Sequence, residues 1–149
     1  MKLSTKGRYG LRALVDLAWH GKGDHLALYQ VAERQGVSEN YLEQVFSTLR
    51  KAGLVKSVKG SQGGYVLARK PDLICVGTVL RVLEGDLLIT DLDGADTAPE
   101  AASIQACLQA AVWDRVNDAV LKVVDGLTLE DLVEDYRKRL GEDNLTFFI

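Results

Sequence analysis

The sequence is poor in the residues that staple, break or catalyse. Cys75 and Cys107 are its only cysteines, too few for a disulfide framework. Pro71 and Pro99 are its only prolines, so long stretches run unbroken and helices are favoured over an all-β fold. The two histidines, His20 and His25, form no metal-spacing motif with either cysteine. No apolar run approaches the ~20 residues that cross a bilayer, and nothing resembles a secretory signal. A reduced, cytoplasmic protein with no membrane partner is therefore expected. Gly60 to Gly64 is rich in glycine, yet it lacks the Lys-Ser/Thr ending of a phosphate loop. No enzyme is expected, because the histidines and cysteines lie far apart and no phosphate loop precedes a helix.

What is present is a division of charge. Through Lys70 there are 12 Lys/Arg against 5 Asp/Glu, a balance of +7; from Pro71 onward there are 6 against 16, a balance of −10. A net charge of −3 thus conceals a basic half suited to a polyanion and an acidic half that is not. Any contact with DNA is expected from residues 1–70. A chain of 149 residues buries roughly 70% of its unfolded surface, enough for a substantial core without staples.

Periodicity places the elements. Ser4 caps a helix to about His20, with Leu11, Leu14, Val15 and Ala18 on one face. A second helix covers about Leu28 to Gln35 and stops at Gly36. Ser38 caps a third, whose apolar face is Leu42, Val45, Phe46 and Leu49. Two helices joined by Gly36-Val37-Ser38 form a helix-turn-helix. The period then changes to two over Leu54–Lys59 and Gly64–Arg69, a β-hairpin carrying Lys56, Lys59, Arg69 and Lys70 and no acid. A basic hairpin after a helix-turn-helix is a winged helix.

Beyond Pro71 a short helix is expected over about Gly77 to Leu83, then an acidic loop over Asp86–Ala98. A long helix follows from about Pro99 to Val124, striped by Ile104, Leu108, Ala111, Val112, Val116, Val120 and Val123. So wide a stripe needs a partner, either its own domain or a second copy. Thr128-Leu129-Glu130-Asp131 resembles a capping box opening a last helix to Leu140. The expected fold is mainly α with a small β-hairpin. It divides into a winged helix-turn-helix region (1–70), regulatory and dimerisation helices (71–140) and a C-terminal tail (141–149).

Several segments in register carry a family resemblance. They are Met1 to Gly10, Ala32-Glu-Arg-Gln-Gly-Val-Ser38, Tyr41-Leu-Glu-Gln44, Leu49 to Val55, Gly63-Gly-Tyr65, Val79 to Gly85 and Leu127 to Leu132. Over about residues 1 to 136 the chain resembles the bacterial winged-helix repressors that include IscR, NsrR and CymR, with the cluster-free cysteine-metabolism branch the most similar. The resemblance implies a homodimer on an imperfect palindrome, with the third helix in the major groove and the wing along the minor groove. It implies base reading by Asn40, Tyr41, Glu43 and Gln44, and by Lys59 at the wing tip, where relatives often carry Arg. Lys2, Ser4, Lys6, Arg8, Ser38, Arg50 and Lys56 are the implied phosphate contacts, which position without specifying sequence.

Iron–sulfur members place three cysteines in the loop before the long helix, and some add a histidine. Here residues 87–106 contain no cysteine, Cys107 stands at the third position, and Ala110 stands where the histidine is expected. No cofactor is therefore expected. An iron–sulfur or thiol redox-sensing repressor remains the alternative. Each cysteine is read either as a small buried residue or as a redox switch, with Cys75, at a helix start, the better switch. The segment Phe147-Phe148-Ile149 is apolar, and two readings stay open: packing on its own dimer, or docking to a partner. The resemblance names that partner as O-acetylserine thiol-lyase (cysteine synthase).

Overall fold

The computed structural model describes residues 2–90 and 102–148, with side chains through residue 143. In chain order the elements are α1 (Thr5–Gly21), α2 (Leu28–Gln35), α3 (Glu39–Lys51), β1 (Val55–Val58), β2 (Gly64–Leu67), α4 (Val76–Glu84), α5 (Ile104–Leu108), α6 (Asp114–Asp125) and α7 (Leu129–Phe148). A 3-10 turn at Pro71–Leu73 precedes α4, and a π-helical turn at Gln109–Trp113 joins α5 to α6 in one helical run. The fold is mainly helical with a two-stranded antiparallel hairpin, as the periodicity predicts.

The hydroxyls of Ser4 and Ser38 accept from Lys6 N and Tyr41 N, so each satisfies a donor that the first helical turn leaves orphaned. α2 ends at Gly36, whose φ of 66° is left-handed. Val37 N then reaches back to Ala32 O at 3.0 Å, the bond that closes a helix end of this kind. Thr128 and Asp131 exchange backbone and side-chain hydrogen bonds, the expected capping box at the start of α7.

The main core lies between α1, α2, α3 and the hairpin. Leu14, Leu17, Val31, Leu42, Val45, Phe46, Leu49, Leu54 and Val55 are buried there, each worth about 1.5–3 kcal/mol relative to exposure. A second cluster of Val76, Leu80 and Leu87 ties α4 to Leu121, Val124 and Leu127 beside the end of α6.

Two expectations need adjustment, and one open alternative is narrowed. The long helix starts at Ile104 behind a Ser103 cap, and Pro99 lies outside the described residues. The last helix does not stop at Leu140 but continues to Phe148, because no proline breaks it and Gly141 alone does not end a helix. The apolar stripe is not packed on its own chain along most of its length. Ile104 is 82% exposed and Val123 61%, and Leu108, Val112 and Val116 are also exposed.

Candidate DNA interface

One face of α3 is core and the other is free. Leu42, Val45, Phe46 and Leu49 are buried, while Asn40, Glu43, Gln44 and Arg50 are exposed. Three of the expected base readers thus share a solvent-facing surface near the start of this helix, and Arg50 is exposed in its last turn. The Ser38 hydroxyl uses a lone pair on Tyr41 N, which leaves its O–H to donate to a phosphate oxygen. Tyr41 is half-buried: its hydroxyl is 3.3 Å from Thr5 Oγ1 and its ring meets Tyr9 edge-on at 6.3 Å. It sits between α1 and α3, with its contacts inside the protein.

The turn before α3 is held by a polar network. Asp16, buried on α1, takes Arg34 in a bidentate pair at 2.7 and 2.9 Å and also accepts from Gln35 Nε2 at 2.9 Å. The Asp16 bond is the chief reason the Arg34 guanidinium binds its proton more tightly than usual. Arg12 donates to the Gln35 carbonyl at 2.7 Å and lies over the Tyr9 ring at 4.8 Å. α1 therefore grips the last turn of α2 and aims the helix that follows. Bidentate guanidinium–carboxylate geometry suits this task because it fixes orientation as well as distance.

The wing is fastened along β2 and in its turn. Tyr65 N and O both bond to Leu26, at 2.9 Å each, so the loop before α2 adds a bridge to the hairpin edge. Gly64 has to be glycine there, since a Cβ would collide with the Leu26 carbonyl. His25 Nε2 lies 2.7 Å from the Gln62 carbonyl in the turn. Lys56 and Lys59 remain exposed on this fixed hairpin. Tyr65 itself is buried, its ring 5.0 Å from that of Phe46, and its hydroxyl donates to Glu43 Oε2 at 3.2 Å. Burial first, and the Glu43 carboxylate second, raise the Tyr65 phenol above its ordinary value.

The remaining phosphate candidates divide. Lys6 is half-buried at the start of α1, next to Thr5 and so near α3, while the exposed Lys2 lies beside Glu84 and Asp86. Arg8 lies instead at the mouth of a groove between α1 and α7, with Leu11, Trp19, Leu132 and Tyr136. The Ser4 hydroxyl is already engaged: it donates to Glu84 Oε1 at 2.5 Å while accepting from Lys6 N at 3.2 Å. Thr5, Tyr9 and Tyr65 escaped the sequence reading. The i, i+4 spacing of Thr5 and Tyr9 and the inward register of Tyr65 on β2 were the available signals.

A recognition helix with one polar face, aimed by α1 and flanked by a cationic wing, defines a winged helix-turn-helix DNA-binding transcriptional regulator rather than an enzyme. Residues 3–135 match the family model described as "Rrf2: Iron-dependent Transcriptional regulator". The chain belongs to the Rrf2 family. It is 45% identical over 133 residues to the HTH-type transcriptional regulator CymR of Bacillus subtilis, covering 89% of each chain. It is 40% identical over 135 residues to IscR of Aliivibrio salmonicida, covering 91% of this chain and 79% of that one. The solved structure of CymR, the global cysteine regulator of B. subtilis, superposes with a TM-score of 0.76 at 42% identity. That match covers 90% of this chain and 97% of the other.

The thiols present do not suit the iron–sulfur cluster that the family's description brings to mind, since cluster iron needs several converging thiolate or imidazole ligands. Cys75, half-buried, donates from Sγ to Val124 O at 3.4 Å and Asp125 O at 3.5 Å, at the far end of α6. Cys107 is on α5, so about 26 Å of helix separates the two thiols within one chain, at ~1.5 Å per residue. Among the described residues no three His, Cys, Asp or Glu side chains gather as a metal site. Cys107 is exposed, not the small buried residue of one expectation, because α5 stands away from its own core. Among the described residues no helix is long and apolar enough to cross a membrane.

Proposed function

We propose that this chain is a cytoplasmic, homodimeric repressor of cysteine or sulfur-metabolism genes that uses no cofactor. Each copy reads half of an imperfect palindrome, with cysteine synthase acting as corepressor. The observation that carries the regulated pathway is the 45% identity to the B. subtilis regulator CymR, joined to the loss of loop cysteines. Residues 1–70 bind the duplex, residues 71–140 pair the copies, and residues 141–149 take the lyase. Asn40, Tyr41, Glu43, Gln44 and Lys59 read bases, and Lys2, Lys6, Ser38, Arg50 and Lys56 face phosphates; Ser4, whose two donors both go to Glu84, and Arg8, at the α1–α7 groove, fall outside the phosphate set. The unpartnered stripe from Ile104 to Val123 supports pairing through the long helix, since so much apolar surface is costly in water. Phe147, Phe148 and Ile149 are the assigned lyase-docking residues; their side chains lie outside the described residues.

The deciding experiment uses the full-length protein and duplexes from upstream of cysteine-biosynthesis genes, with and without purified cysteine synthase and O-acetylserine. The expected outcome is a dimer whose binding tightens with the synthase and relaxes with O-acetylserine. Deleting Ile149 removes the synthase effect and leaves basal DNA binding intact. A strict monomer, or affinity equal to that for bulk duplex, refutes the reading. The exposure of Cys107 supports one second reading, a thiol-based redox input. Iron-bound, coloured protein after anaerobic purification would instead favour the iron–sulfur alternative.

A further inference from the structure

We infer that Tyr65, a residue of the wing, decides which base α3 accepts by fixing the Glu43 carboxylate in one orientation. This rests on the reading of α3 as the base-reading helix. Glu43 is exposed, and a free glutamate there would sample several rotamers and offer its acceptors to more than one base pair. A carboxylate accepts and never donates, so what it selects is an amino group, and where it points decides which one. The Tyr65 hydroxyl occupies Oε2 at 3.2 Å, which leaves Oε1 as the acceptor available to a base.

The anchor is itself immobile. Tyr65 is 7% exposed, its ring packs on Phe46, and its backbone is bonded to Leu26 on one side and paired with Ser57 on the other. Phe46 lies on the same helix as Glu43, three residues on, so ring and hydroxyl grip α3 together. A phenol that donates to an otherwise exposed carboxylate from beneath a wing links the seating of the wing to the choice made by the helix. Tyr65 is thus a positioning residue that acts through Glu43.

The test lets the full-length protein select from a randomised duplex pool, then measures affinity for the selected duplex and its single-base-pair variants. Tyr65→Phe keeps the ring and removes only the hydroxyl. It is expected to narrow the preference at one base pair per half-site by about 3–10-fold. Affinity for random-sequence duplex, which reports an intact fold, is expected not to change. Glu43→Ala is expected to lose roughly tenfold or more at the same base pair, and Tyr65→Phe to add nothing in that background. A purely structural role lowers affinity for every duplex, in both backgrounds. That result overturns the inference, as does full discrimination by Tyr65→Phe beside a relaxed Glu43→Ala. If Glu43→Ala itself discriminates normally, the assignment of Glu43 as a reader fails, and the role of Tyr65 with it.

Discussion

Replacing Glu84 by Ala tests whether α1 is held at its start by a carboxylate from another helix. Glu84 Oε1 accepts from Ser4 N at 3.2 Å, Ser4 Oγ at 2.5 Å and Gly7 N at 2.7 Å. Ser4 is the N-cap of α1 and Gly7 its third helical residue, so Glu84 performs across the fold what a capping-box glutamate does locally. Hydrogen bonds to a charged group are worth about 1.5–3 kcal/mol each. The exposed Ser4 groups regain water on mutation, while the buried Gly7 N–H is orphaned. We expect a loss of about 2 kcal/mol, or roughly 4–8 °C in melting temperature for a chain of this size. Glu84→Gln keeps an uncharged acceptor and should lose about half as much. Burial pushes the Glu84 carboxyl up, but the bonds from Ser4 and Gly7 outweigh it and hold it below its ordinary value. A depressed folded value means the contribution is complete above the unfolded pKa, about 4.3, and disappears as pH falls through the folded one. Thermal melts by circular dichroism at fixed protein concentration, from pH 7 to pH 3, should show the gap between wild type and Glu84→Ala closing toward acid. A gap under about 0.5 kcal/mol at neutral pH, or one that is constant down to pH 3, refutes the argument.

Removing Arg34 strands a buried carboxylate, so Arg34→Ala should cost about 3 kcal/mol by urea denaturation, and Asp16→Asn/Arg34→Ala together less than the sum of the two. Cys107 should react with a thiol reagent at least about tenfold faster than Cys75, which is half-buried and donates to two carbonyls; equal rates would contradict the placement of both. Lys56→Ala should weaken all duplexes alike and reduce the slope of log K against log salt by about 0.9, whereas a sequence-dependent loss would move Lys56 from phosphate contact to base reader.

The winged helix-turn-helix was legible because each local signal agreed with the next. Ser4 and Ser38 cap, Gly36 turns, Leu42, Val45, Phe46 and Leu49 repeat at helical spacing, and the hairpin alternates. The end of α7 was not legible, since helical propensity around Gly141 leaves the stop undecided. Nor was the exposure of Cys107, which depends on whether α5 has anything of its own chain to pack on. Arg8 and Lys6 look alike as cations near Tyr9, yet one lies at the α7 groove and the other beside the turn of Ser4 and Thr5.

Local chemistry, written in short-range spacing, settled the elements, the cationic half and the exposed face of α3. Contacts between distant positions were decided only by tertiary structure: Glu84 on Ser4 and Gly7, Asp16 on Arg34, Tyr65 on Glu43. The physical reason is that caps and periodicity act over three or four residues. A hydrogen bond across 22 or 77 residues exists only once the core has fixed where each backbone passes.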